Sequence, residues 1–131
     1  MLKVWGRPYS SNVIPVIWTV NELGLKYDLM LAGGSFGKLD TDQYAKINPN
    51  RMIPAIQDGE FALWESLSII RYLSEAYGKG SLLPSDLQAK AIADQALTME
   101  HVIFANFTHK PAIQLSEKLL NILPSNQSKV F

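Results

Sequence analysis

Apolar residues along this chain alternate between two spacings, and each change of spacing marks an element. Residues 2–6 alternate and are rich in strand formers, which predicts a first strand. Val13, Val16, Ile17, Val20 and Leu23 then recur at helical spacing. Ser11 or Asn12 is available as the cap of that helix, Pro15 is tolerated in its first turn, and Gly24 closes it. Residues 27–31 predict a second strand. Strand, helix, strand in this order implies a parallel pair with the helix as crossover.

Gly33, Gly34 and Gly37 come next, but their spacing fits neither nucleotide-binding fingerprint, so a flexible loop is expected there and a short helical segment over 42–47. Strands are predicted over 53–56 and 61–64, joined at Asp58-Gly59 as a hairpin and therefore antiparallel. A helix over 65–77 follows, with Leu67, Ile70, Leu73 and Tyr77 facing inward. βαβ followed by ββα is the α/β thioredoxin-like arrangement, a mixed four-stranded sheet with helices. Gly78, Gly80, Pro84 and Ser85 form a linker, which sets the domains at 1–80 and 81–131. The second is expected to be a partial all-α domain: one long helix over 86–109, stopped by Pro111, a shorter one over 113–123 and a frayed polar tail.

Composition narrows the chemistry. Twelve basic residues balance twelve acidic ones among 131, which removes the electrostatic case for nucleic acid or an anionic membrane. No apolar stretch is long enough to cross a bilayer and no leader pattern opens the chain, so a cytoplasmic protein acting on a small molecule or another protein is expected. The absence of cysteine excludes disulfides, thiolate metal sites and a protein-borne thiol nucleophile. His101 and His109 lack metal-ligand spacing, so no metal is expected. Any thiol chemistry must use a ligand's sulfur.

Four features occur in register: the opening Leu2-Lys3-Val4-Trp5-Gly6-Arg7-Pro8-Tyr9-Ser10-Ser11-Asn12-Val13, the helix running to Glu22-Leu23-Gly24, the Ile53-Pro54 pair inside Asn48-Pro49-Asn50-Arg51-Met52-Ile53-Pro54, and the Glu65-Ser66 pair. Over most of its first eighty residues the chain thereby resembles the N-terminal domain of a cytosolic glutathione S-transferase, of the serine type found among bacterial theta, zeta and beta-like members. The resemblance implies glutathione as co-substrate and a site for each part of it. Ile53, before a cis Pro54, would pair with the cysteinyl backbone as an added strand. Ser66, at a helix start, would hold the γ-glutamyl carboxylate, and Glu65 would lie near the amine. Lys38 and Arg51 are available for the glycyl carboxylate, whereas Met52 stands where the family carries a basic residue. Ser10 matches the hydroxyl that donates to the thiolate, with Ser11 and Asn12 as adjacent donors and Tyr9 as a minor rival. Read without the resemblance, Ser10 and Ser11 are helix caps, Ile53-Pro54 is an edge strand with a trans bond, and Glu65-Ser66 is an ordinary helix start.

Family members carry a second domain of several helices that shapes the electrophile site and contributes to a dimer interface. Residues 81–131 have room for two, so an exposed apolar patch, a homodimer that hides it, or poor stability is expected, as is a truncated or fragmentary product. Three functions follow from the resemblance: conjugation of glutathione to a small apolar electrophile, a non-catalytic glutathione-binding or dimerising module, and a glutathione-dependent isomerase, dehalogenase or peroxidase.

Overall fold

The computed structural model describes residues 1–100, with side chains as far as Thr98. It divides the chain into a unit Met1–Lys90 and a unit Ala91–Phe131. The expectations for His101, His109, the helix over 113–123 and the polar tail lie outside the described residues.

The elements run β1 (Leu2–Gly6), α1 (Ile14–Glu22), β2 (Tyr27–Leu31), a 3-10 turn (Gly34–Phe36), α2 (Asp42–Ala45), β3 (Ala55–Asp58), β4 (Phe61–Trp64), α3 (Ser66–Tyr77) and α4 (Leu87–Glu100). The four strands form one sheet in the order β2-β1-β3-β4. β1 and β2 are parallel, and β3 is antiparallel to both β1 and β4. This is the mixed thioredoxin-like sheet that the element order predicted.

Strand alternation divides the core into two layers. Leu2, Val4 and Ile56 pack against Val16 and Val20 of α1 and Ile69 and Leu73 of α3. Trp5 and Ala55, on the opposite face, pack with Ala32, Tyr44 and Ile47. Each such Val, Leu or Ile side chain, fully buried, contributes about 1.5–3 kcal/mol of transfer free energy. α1 stops where Gly24, at φ 63°, donates to Asn21 O and Leu25 donates to Val20 O, a Schellman ending that satisfies two terminal carbonyls.

Several boundaries differ from the sequence pattern. The third strand starts at Ala55, not Ile53, because pairing with β1 begins at Trp5↔Ala55 and proline has no N–H to offer a ladder. The hairpin turn is Gly59-Glu60. Asp58 remains in β3 opposite Phe61, and Gly59 at φ 61° takes the first central position of the two-residue turn. α1 is capped by neither Ser11 nor Asn12. Its N-cap is Val13, without a side-chain cap, and Ser10 O accepts instead from the N–H groups of Val13 and Ile14. The inward face of α3 carries Ser66, Ile69, Leu73 and Ser74, while Leu67 and Ile70 are half-buried and Tyr77 is exposed. Of the four residues expected to face inward, only Leu73 is fully buried, because the helix turns Ile69 rather than Ile70 into the core and Ser66 and Ser74 complete the buried face. The glycine loop is an organised turn, closed by Gly33 N–H donating to Gly37 O. The long helix begins at Leu87, where Asp86 accepts from Ala89 N–H, and is described to Glu100.

Candidate functional site

Strand register determines where the connecting segments meet. Met30, Trp5, Ala55 and Trp64 form one row across the four strands. Just beyond that row lie the segment leaving β1 (7–13), the segment leaving β2 (32–38), Ile53-Pro54 entering β3, and Glu65-Ser66 leaving β4. One end of the sheet therefore gathers Ser10, Lys38, Ile53 and Ser66, which are far apart in the chain. Gly33 lies against Ile53, where an added Cβ would come within 2.9 Å of Cδ1, so the β2 segment touches the entry to β3 directly.

The Ile53-Pro54 bond is cis, as the resemblance implies. Ile53 precedes the ladder, and no described residue takes up its own N–H or C=O. Those groups are the ones an extended peptide would pair with. The approach to Ile53 is held from behind. Met52 O accepts from Tyr44 Oη at 2.6 Å and from Asn48 Nδ2 at 2.8 Å, and Asn48 Oδ1 accepts from Asn50 N–H at 2.9 Å. Burial pushes the Tyr44 hydroxyl up to about 12, so it remains a donor across the physiological range. Asn48 is 2% exposed and satisfied at both ends of its amide. Neither residue was assigned a role from sequence. Asn48 opens the stretch that carries the resemblance, but its partner is a backbone carbonyl, which no side-chain pattern displays.

Glu65 is the N-cap of α3 at φ 71°, and the helix has no side-chain cap. Its first-turn N–H groups are therefore left for another acceptor, and the dipole there favours an anion. Ser66 is 3% exposed, and its hydroxyl has no hydrogen-bond partner among the described residues. Lys38 at φ 70° and Arg51 at φ 55° share the left-handed backbone of Glu65. Three of the site candidates thus adopt a conformation that costs a non-glycine residue about 1–3 kcal/mol, which the surrounding contacts must offset.

The two candidate cations differ. Arg51 is half-buried and donates from Nη1 to Leu39 O at 3.1 Å, tying the β2-α2 connection to the β3 approach. Lys38 is exposed, and its carbonyl accepts from the Thr41 hydroxyl at 2.7 Å. Met52 turns its side chain to solvent, 57% exposed, so its contribution here is through its carbonyl. Ser10 is half-buried in the turn before α1, its N–H donating to Arg7 O at 3.1 Å, whereas Ser11 and Asn12 are exposed. Ser10 offers a hydroxyl beside a helix start at the end of the sheet where Ile53 and Ser66 lie. A thiol ligand pairing with Ile53 could be met there by a donor and by the positive end of α1.

Residues 5–81 match the family described as the glutathione S-transferase N-terminal domain. The glutathione S-transferase GstB of Escherichia coli K12 is 35% identical over 108 residues, which cover 81% of this chain and 52% of that protein. The glutathione S-transferase theta-3 of Mus musculus is 42% identical over 66 residues, covering 50% of this chain and 27% of that one. Among solved structures, the theta class glutathione S-transferase of the citrus canker pathogen Xanthomonas axonopodis pv. citri, with glutathione bound, superposes with a TM-score of 0.75 at 38% identity. That superposition covers 80% of this chain and 50% of the other. The chain spans about half the length of the E. coli and Xanthomonas proteins it matches.

Proposed function

Because the chain belongs to the glutathione S-transferase family, we propose that it binds glutathione at this end of the sheet and that Ser10 stabilises the thiolate for attack on a small apolar electrophile. The observation that carries the reading is the meeting of Ser10, Ile53 and Ser66 beyond one row of the sheet. In this reading Ile53 pairs with the cysteinyl backbone, and Ser66 with the open start of α3 holds the γ-glutamyl carboxylate. Glu65 faces the amine, and Lys38 or Arg51 faces the glycyl carboxylate. Residues 1–80 act as the glutathione-binding domain and 81–131 as a partial helical domain of a cytoplasmic homodimer.

The magnitudes bound what Ser10 can do. Lowering a thiol from ~8.5 to ~6.5 needs about 2.7 kcal/mol, which one charge-assisted hydrogen bond of ~1.5–3 kcal/mol with a helix terminus of ~0.3–1 kcal/mol can supply. The thiolate fraction at neutral pH then rises roughly 25-fold, while a Brønsted slope of ~0.4–0.5 returns nearly eightfold of it in nucleophilicity. Activation alone is modest. Most of the acceleration must come from holding the electrophile beside the sulfur.

The test is calorimetry with glutathione, followed by a titration of the bound thiol through its ultraviolet thiolate absorbance. Ser10→Ala is expected to keep affinity within about twofold and to raise the bound thiol's pKa by about one to two units. An unchanged thiol pKa removes Ser10 from the role, and no binding by the wild-type chain removes the function.

A further inference from the structure

We propose that the end of the site beside Met52 is apolar rather than ionic, so that the chain takes as thiol ligand a γ-glutamylcysteinyl compound whose C-terminal carboxylate is masked by an apolar ester or amide chain. The inference rests on the glutathione reading and narrows its ligand class.

The two ends of the site set the direction of the ligand. With the γ-glutamyl carboxylate at Ser66, beyond β4, a peptide paired with Ile53 runs its other end back over the residues that enter Ile53 and toward the segment leaving β2. Gly33 of that segment lies against Ile53, and Arg51 donates to Leu39 O within it, so the two segments form one wall. The C-terminal arm of the ligand comes down there, beside Met52, Arg51 and Lys38.

Neither cation is set to grip a carboxylate. Arg51 commits Nη1 to Leu39 O at 3.1 Å, which ties its planar fork to the main chain. Lys38 is exposed and pairs with no carboxylate among the described residues, so nothing holds its long side chain in one rotamer. Asp40 and Asp42, exposed in the same connection, oppose its field. An ion pair formed by such a lysine at the surface changes affinity by less than about fivefold. The contrast is with the γ-glutamyl end, where Ser66 is buried and the uncapped start of α3 favours an anion.

Met52 offers a different contact. Its carbonyl is held by Tyr44 and Asn48, which fixes the backbone and leaves the exposed side chain free to follow a ligand. Ile53 and Leu39, partly buried in the same two segments, continue the apolar surface. An unbranched thioether adapts to chains of different shape, and each methylene it fully covers tightens binding about fourfold.

Calorimetry with three ligands tests this: glutathione, its C-terminal amide and its glycyl butyl ester. The amide is expected to bind within about fivefold of glutathione, and the ester about three- to tenfold tighter than the amide. Met52→Ser should bring the ester-to-amide ratio below about twofold, whereas Met52→Leu should keep it. Each ratio is read within one variant, so a general loss of fold does not imitate the result. An amide weaker than glutathione by more than about fivefold overturns the assignment, as does an ester no tighter than the amide or an ester increment that survives in Met52→Ser. Those outcomes leave the glutathione reading intact. Should Met52→Ser fail to fold, the two wild-type ratios decide. Failure of all three ligands to bind overturns both the glutathione reading and this one.

Discussion

Glu65 occupies left-handed backbone at φ 71° in the residue position assigned to the glutathione amine. Glycine there would relieve strain but remove the carboxylate. Glu65→Gly is therefore expected to raise stability by about 1 kcal/mol while weakening glutathione binding about tenfold or more, read by urea unfolding and calorimetry on the same preparation. Loss of both properties together would mean that Glu65 is structural. Asn48 is the opposite case, buried and fully bonded, with no atom assigned to the ligand. Asn48→Ala should cost about 1–3 kcal/mol by leaving Met52 O and Asn50 N–H short of partners, and the unfolding midpoint measures it. Ser10, Ile53, Glu65 and Ser66 could be proposed from the sequence because each falls at a motif that carries the resemblance. Asn48 and Tyr44 could not, because both act on a main-chain carbonyl brought near by the fold.

At the scale of elements, α3 is fastened at its far end as well as at its start. Asp58, the last residue of β3, accepts from the Tyr72 hydroxyl at 2.8 Å and from the Tyr77 hydroxyl, and Phe61 of β4 packs on Tyr72 with centroids 5.0 Å apart. The hydrogen bond to Asp58, with burial, pushes Tyr72 up from 10.0 to about 12, and Tyr77 rises for the same first cause. A folded-state pKa above the unfolded one gives stability that is complete below pH 10 and is lost between 10 and about 12. Stability should accordingly fall as pH climbs through that window, and Tyr72→Phe should flatten the fall, as followed by urea midpoints across the alkaline range. An equally steep fall in the variant would place the alkaline sensitivity elsewhere. The helix itself was readable from its apolar spacing. Its rotation was not, because Ile69 and Ile70 are equally apolar and only packing against α1 and the sheet selects Ile69. The turn at Gly59-Glu60 likewise follows from ladder register, which keeps Asp58 paired, and not from the Asp-Gly dipeptide.

For the molecule as a whole, apolar surface remains open beyond the first unit's core. On α1, Trp18 is 70% and Ile14 48% exposed, and an open cleft is lined by Trp18, Thr19, Glu22 and Leu82. On α4, Leu87 is 79% and Ile92 67% exposed. Among the described residues no helix is long and apolar enough to cross a membrane. Exposed rings and aliphatic side chains on this scale favour association, so the chain is expected to sediment as a dimer at micromolar concentration. A monomer by sedimentation equilibrium would exclude the proposed homodimer.

The sequence by itself determined the order and type of the elements from local spacing and, through the resemblance carried by four motifs in register, the family and the cis prolyl entry to β3. Only the tertiary structure decided which connections share one end of the sheet, which face of α3 is buried, that Val13 and not a hydroxyl residue caps α1, and that Arg7 lies over the Tyr9 ring. Those outcomes depend on strand register and on contacts between residues far apart in the chain, and neither is encoded in the neighbours of any one residue.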